Sequence, residues 1–308
     1  IPDDAFNPVT GDDKEVCKAL KKINSAFNKT QQFDLFGHHT SESEVHDFSS
    51  EYNEMEEIRQ DTINAVQKAK DKFEHLRSNP NWYNDWTACN LWTSAFFFTY
   101  TESTKKAAST SESLGQFLRN PASAYAPMIG KANSLSMEHR FFHWPLEFPD
   151  VFRQGGFDVM LGNPPWERIK LQEKEFYATR DVSIAKATNK SEREKQIKEL
   201  PIKNLSLYTE FKEALHGSDC SSKFLRGCNR FPLSAKGDVN TYAVFSELFT
   251  NLINISGIAG LIVPIGIATN NTTKEYFSSI VINERLKSLL GFENEEFKAL
   301  MRLYLTIH

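Results

Sequence analysis

Glycine is scarce in this sequence, with 14 in 308 residues against 24 phenylalanines. An α/β enzyme that binds a nucleotide-like cofactor usually spends several glycines in one loop, because only glycine lets the backbone approach the ligand closely. No glycine-rich loop follows an apolar strand between Ile1 and Phe141, and Gly155-Gly156 stands too close to the next strand to serve. Either such an enzyme is excluded or its cofactor loop lies elsewhere. Cysteine is sparse too. Cys17, Cys89, Cys220 and Cys228 are scattered, with no C-x-x-C pair and no histidine at zinc spacing, so no metal site is expected. Cys220 and Cys228 could approach each other, but four ordinary thiols in a reducing cytoplasm is the expectation. No apolar run reaches the roughly 20 residues that span a bilayer. The densest, 253–267, is interrupted by Asn254, Ser256, glycines and Pro264, and suits a buried strand. A net charge of −4 with a pI near 6.1 excludes histone-like coating of nucleic acid and leaves room for a local basic groove.

The hydrophobic fraction of 40% and charged fraction of 25% are ordinary for globular chains, which argues against wholesale disorder, collagen or coiled coil. The length allows two domains, or one large α/β domain with an insertion. The chain opens Ile1-Pro2-Asp3-Asp4 without an initiator methionine and closes on the strand-like Leu303-Tyr304-Leu305-Thr306-Ile307-His308. Both ends read as edges of an excised piece.

Residues 11–140 have helical grammar. Asp12-Asp13 precedes Val16, Cys17, Leu20 and Ile23 at helical spacing, an amphipathic helix with an acidic first turn. Met55, Ile58, Ile63, Val66, Ala69 and Phe73 recur every three or four residues, which predicts one long helix from Glu51 to Leu76. The aromatic run from Trp82 to Tyr100 holds no basic residue, so it reads as helical core and not as a base-stacking platform. The Ser/Thr-rich stretch from Thr99 to Ser113 reads as a loop leading into a short helix. After Phe141 the grammar changes. Buried strands are expected at Phe157–Gly162 and Ala259–Pro264, and further strands at Leu286–Phe292 and the carboxyl end. Helices are expected over 240–254 and 273–284, with a lysine-rich helical excursion over 179–200. Strand alternating with helix predicts an open α/β sheet with helices on its faces. The domain expectation is a helical insertion or spacer over 1–140 and a catalytic unit over 141–308.

The chemistry concentrates in Asn163-Pro164-Pro165-Trp166, directly after the strand that begins at Phe157. Two prolines lock φ and remove two backbone donors, leaving carbonyls unused. The Asn163 side-chain oxygen adds an acceptor beside them. Strand carboxyl ends are where α/β folds put ligands, and Trp166 adds a flat π-surface there. An amino group lying on Trp166 could donate one hydrogen to Asn163 and one to the Pro164 carbonyl. Its lone pair would then leave conjugation and become nucleophilic. The plain alternative is a rigid turn with a core tryptophan, which the preceding strand and Phe-Asp-x-x-x-Gly context disfavour. Asp158 reads as strand-end structure.

The stretch Phe142-His143-Trp144-Pro145-Leu146-Glu147-Phe148-Pro149-Asp150-Val151-Phe152, with Gly156 to Glu167, resembles adenine-specific DNA methyltransferases. It is most similar to the methylase region of large type IIG-like restriction-modification proteins. Ile1 to Phe6, Thr10 to Lys14, Gly237 to Tyr242, Gly260 to Pro264 and Gly291 to Asn294 extend the resemblance. It implies a partial Rossmann-like methyltransferase sheet preceded by an α-helical segment. It also implies S-adenosylmethionine as methyl donor, double-stranded DNA with a flipped adenine as substrate, and transfer to adenine N6 in the cytoplasm of a bacterium. Asn163, Pro164 and Pro165 would hold the target amino group, Trp166 would stack on the base, and Asn163 would stand near the cofactor's reactive end. Phe297 is a candidate second face against the base. The family's glycine-rich cofactor loop comes earlier in its chains and has no counterpart here. The resemblance therefore implies a target-base half, inactive alone and working with upstream and downstream domains of one full-length protein.

Lys186, Lys190, Arg193, Lys195, Lys198 and Lys203 stand among glutamates, which reads by default as a solvated helix face. Their place after the motif makes Lys195 and Lys198 candidate phosphate contacts. Lys223, Arg226 and Arg230 form a second basic group. Two other readings remain: an Asn-Pro-Pro-aromatic methyltransferase acting on protein glutamine or RNA, and a non-catalytic interaction module.

Overall fold

A computed structural model of the chain describes residues 1–34, 46–292 and 302–307. Helix α1 (Lys14–Asp34) starts where the Asp13 carboxylate accepts from the Glu15 and Val16 amides at 2.8 and 3.3 Å. The long helix expected over 51–76 is two, α2 (Ser49–Glu56) and α3 (Ile63–Arg77). Thr62 turns its hydroxyl to the Ala65 amide at 3.2 Å and caps a new helix, so the local bond wins over continuation. The apolar spacing was misleading as well, because Ile63 is 88% exposed and holds no core contact that would fuse the two.

Asn79 and Pro80 open α4 (Pro80–Ser94), the helix of the aromatic run, and Thr110 with Ser113 forms a capping box for α5 (Ser111–Arg119). Helix α6 (Ala126–His139) ends on Arg140 in the left-handed region. Two one-turn helices, α7 (Trp144–Glu147) and α8 (Pro149–Arg153), then set Trp144, Phe148 and Phe152 edge-on around the Phe157 ring at 5.3–6.1 Å. That aromatic collar anchors the start of β1 (Phe157–Gly162). Three short-to-medium helices follow: α9 (Glu173–Ala178), α10 (Val182–Ala185) and α11 (Lys190–Lys203). With the 23-residue α12 (Leu205–Gly227) they bury Phe176, Tyr177 and Phe211 in a cluster of their own. Then come α13 (Thr241–Leu252), β2 (Ile253–Pro264), α14 (Gly266–Thr269), α15 (Lys274–Ile282), β3 (Leu286–Phe292) and β4 (Arg302–Ile307).

The sheet order is β1-β2-β4-β3, with β1 parallel to β2 and β4 antiparallel to both its neighbours. One face is packed: Met160, Ala259, Leu261, Val263, Leu305 and Ile307 lie against Tyr242 of α13 and Tyr276 and Ile280 of α15. The strand β1 expected to be buried is not. Val159 and Leu161, on the other face, are 60% and 76% exposed, because no described element covers that side. The core does not divide at residue 140. Phe6, Cys17, Phe96 and Tyr100 share one cluster with Cys220, Phe231, Val239 and Val244. All four cysteines are free thiols, and burial raises each of them above the ordinary range.

His143 is buried beside the aromatic collar, its Nε2 at 2.8 Å from the Asn90 side-chain oxygen. Asn90 donates its own amide to Asn133, so the proton of this bond belongs to the histidine. Burial first, then the Arg230 charge, push the His143 pKa down to about 4. The unfolded chain, near 6.5, binds that proton first, so stability falls as pH drops from about 6.5 toward 4. The loss approaches something on the order of 3 kcal/mol at the low end. Urea midpoints at pH 7 and pH 5 are expected to converge in His143→Gln, which cannot titrate.

Candidate active site

The site begins with a constraint on glycine. Gly155 and Gly156 have φ of 93° and 123°, and a Cβ on Gly156 would stand 2.4 Å from the Leu252 carbonyl. The chain therefore enters β1 pressed against the α13–β2 junction. At the other end a Cβ on Gly162 would meet the Phe249 ring at 2.9 Å, so α13 packs directly beneath the strand's exit. The parallel register, Phe157 with Ile253 and Gly162 with Leu261, brings both carboxyl ends to one edge of the sheet. Asn163, Pro164, Pro165 and Trp166 leave from that edge.

Pro164 is buried, Asn163 and Pro165 are exposed, and Trp166 is half-buried against the sheet core. The hydrogen bonds of this loop divide it sharply. The Thr241 hydroxyl donates to the Pro165 carbonyl at 2.6 Å and accepts the Glu167 amide at 3.0 Å. The Thr241 amide donates to the Glu167 carbonyl at 2.9 Å, and the Ile169 amide to the Val239 carbonyl at 3.1 Å. An Arg168–Asp238 ion pair at 3.5 Å and a bridge from Arg168 to Asn240 continue the pairing at the rim. Upstream of this clamp, no donor among the described residues reaches the Asn163 side chain or the Pro164 carbonyl. Among the described residues the two acceptors singled out in the sequence have no donor, while the carbonyls of Pro165 and Glu167 are taken.

Asp158 is held as strand-end structure, accepting the Asn254 amide at 2.5 Å. Lys195 and Lys198 are exposed on α11, in the separate helical cluster that follows the loop. Their neighbours Lys190 and Lys203 pair with Glu194 and Glu199, whereas neither Lys195 nor Lys198 makes an ion pair among the described residues. Arg193 of the same helix is buried on Glu173 at 2.7 Å and is structural. The second basic group loses one member to the core and keeps Arg226 and Arg230 exposed. Lys223 is 8% exposed with its ammonium 5.4 Å over the Tyr100 ring, and Arg226 donates to the Gly237 carbonyl. Arg230 lies over Trp92 instead. The physical reason is helical phase: α12 turns Lys223 inward, its aliphatic stem packing while desolvation lowers the ammonium's pKa. Phe297 lies outside the described residues.

Among the described residues, no cluster of histidine, cysteine and carboxylates could hold a metal, and no helix is long and apolar enough to cross a membrane. A cavity of about 970 Å³ lies between α4, α5, α7 and α13 and is lined by Trp92, Phe117, Trp144 and Leu248. None of Asn163 to Trp166 lines it, so its volume does not mark the loop's chemistry.

The model of the family described as Eco57I restriction-modification methylase matches residues 19–216, more than half of the chain and including β1 and the whole loop. The chain belongs to that family. Its sequence motif thus sits in a methylase of restriction-modification type, on a mixed α/β fold with a small four-stranded sheet. No curated protein and no solved structure matches the chain. Thr241 and strands β2 to β4 lie beyond the matched residues. Thr241 falls within Gly237 to Tyr242, a stretch whose resemblance to the family assigns it no role. The available signal was a hydroxyl residue at a helix start, which suggests a cap and not a clamp on a loop 75 positions away.

Proposed function

We propose that this chain carries the target-base side of an S-adenosylmethionine-dependent DNA methyltransferase that modifies adenine N6, within a type IIG-like restriction-modification protein. One observation carries the reading. Asn163 and the Pro164 carbonyl are acceptors without a donor among the described residues, at the carboxyl edge of β1 beside Trp166, and the carbonyls of Pro165 and Glu167 are already satisfied. An exocyclic amino group has two donors to match two acceptors. Only a base extruded from the duplex can reach such a loop. Trp166 stacks on the base, and Asn163 with the Pro164 carbonyl turn the amino nitrogen's lone pair outward. After transfer, that nitrogen releases one of its protons to solvent. S-adenosylmethionine would supply an electrophilic methyl group and leave as the thioether S-adenosylhomocysteine, and Asn163 would be the residue here nearest its reactive end.

The cradle for the cofactor's adenosyl part belongs to residues outside this chain. The described strands are followed by no glycine-rich turn, and β1 pairs on one side only among the described residues. A parallel strand is normally buried on both faces, so the uncovered Val159 and Leu161 fit a larger sheet in which residues 141–308 are one half. The helical residues 1–140 serve this half as a packed support through their shared core.

The deciding experiment is methyl transfer by the full-length protein containing this chain, with the product digested to nucleosides. N6-methyladenine is expected; label in protein glutamine or RNA guanine, or in no product, overturns the reading. Calorimetric titration of this chain with S-adenosylmethionine is expected to give weak or no binding, and submicromolar affinity defeats the assignment of the cradle. Lys195 and Lys198 are proposed to contact phosphates. Reversing both to glutamate is expected to lower the slope of log affinity against log salt by about two, one per contact. An unchanged slope in DNA-binding measurements removes them from the interface.

A further inference from the structure

The loop's shape is decided by a residue far from it in sequence. We infer that Thr241 is a positioning residue for the target-base loop, which withholds the Pro165 carbonyl from the substrate and leaves Asn163 and the Pro164 carbonyl to receive the amino group. The inference rests on the reading of that loop as the target-base site.

The chemical problem is redundancy of acceptors. Two consecutive prolines contribute no N–H, so the segment carries carbonyls without local donors to match them. A substrate amino group entering this loop would find the Pro165 carbonyl as well as that of Pro164. A base captured by the wrong pair presents its nitrogen at the wrong angle, and misplacement of about an ångström is costly to transfer. Thr241 removes the ambiguity. Its hydroxyl hydrogen goes to the Pro165 carbonyl at 2.6 Å, nearer than the Glu167 carbonyl at 3.2 Å, its hydroxyl lone pair accepts the Glu167 amide at 3.0 Å, and its backbone amide donates to the Glu167 carbonyl at 2.9 Å. Three bonds from one residue hold both sides of Trp166, at positions 165 and 167. The support is rigid, because Thr241 is the first residue of α13, whose next residues Tyr242 and Ala243 are buried in the sheet core. The orientation of the Trp166 ring is thereby referred to the same helix that packs beneath Gly162.

The side chain supplies two of the three bonds, which makes the inference testable without disturbing the third. Thr241→Val keeps the shape and the backbone amide and removes the hydroxyl. Thr241→Ser restores the hydroxyl, and Thr241→Ala covers the case in which valine folds poorly. In the full-length protein, kcat for methyl transfer is expected to fall roughly ten- to a hundredfold in Thr241→Val, the loss of two hydrogen bonds. KM for DNA is expected to stay unchanged, and the serine variant to recover most of the rate. A second readout uses this chain labelled with fluorotryptophan. The Trp166 resonance, identified by its loss in Trp166→Phe, is expected to move in the valine and alanine variants and to stay in serine. Those of Trp82, Trp86, Trp92 and Trp144 should remain. A Trp166 resonance unmoved in both valine and alanine, or a kcat unchanged in both, overturns the inference. If the unmodified protein transfers no methyl group to DNA, the functional reading has failed, and the resonance alone decides whether Thr241 positions the loop.

Discussion

Replacing Asn163 by alanine in the full-length protein is expected to lower kcat for methyl transfer by about two to three orders of magnitude, the usual effect of deleting one preorganised polar contact to a developing charge. The amide oxygen has no donor among the described residues, and the second acceptor of the proposed pair, on Pro164, belongs to the backbone and cannot be deleted. Loss of Asn163 thus leaves the amino group with one partner and its lone pair still delocalised into the ring. Binding of DNA should change little, because phosphate contacts supply most of the affinity and do not pass through this side chain. The expected signature is a collapse in kcat with KM nearly constant, measured as label incorporated at saturating DNA. Incorporation unaffected by the substitution removes Asn163 from the reaction and with it the proposed role of the loop.

The second large effect is on stability. Gly156→Ala is expected to destabilise the protein by roughly 2–6 kcal/mol, one to three from a backbone conformation side chains avoid and one to three from overpacking. At φ 123° the position is open to glycine alone, and the added carbon would lie 2.4 Å from the Leu252 carbonyl and 3.0 Å from the Asn254 amide. Both neighbours are backbone, at the hinge where α13 becomes β2, so neither can step aside as a flexible side chain would. Gly155, with a similar φ but open space around it, should tolerate alanine with the conformational cost alone. Urea unfolding of the two variants separates the effects. Equal midpoints would mean that the close approach at Gly156 carries no cost.

Much of this fold was legible because the signals were local. Phe157 to Gly162 ends at a glycine before two prolines, and a strand and its exit follow from those few residues. The helix over α13 and the strands β2 and β3 showed their periods in single segments. The failures also have local causes. Residues 51–76 carry a helical period that Thr62 interrupts with one hydroxyl bond, a competition that spacing of apolar residues does not register. Lys223 belongs to a basic group by sequence, yet the phase of a 23-residue helix buries it over Tyr100.

By itself the sequence determined the candidate chemistry of this protein: Asn163, Pro164, Pro165 and Trp166 in one rigid turn, at the end of a strand, without a metal or a nearby glycine-rich loop. Proline geometry and amide chemistry are intrinsic to those residues, so no knowledge of the remaining chain was needed. Tertiary structure alone decided that the Pro165 carbonyl is taken. The order β1-β2-β4-β3 threads the last strand between two earlier ones, and α13 brings Thr241 across 76 positions to the Pro165 carbonyl. Pairings of that kind depend on the closure of long loops and on a shared core, and no short stretch of sequence contains them.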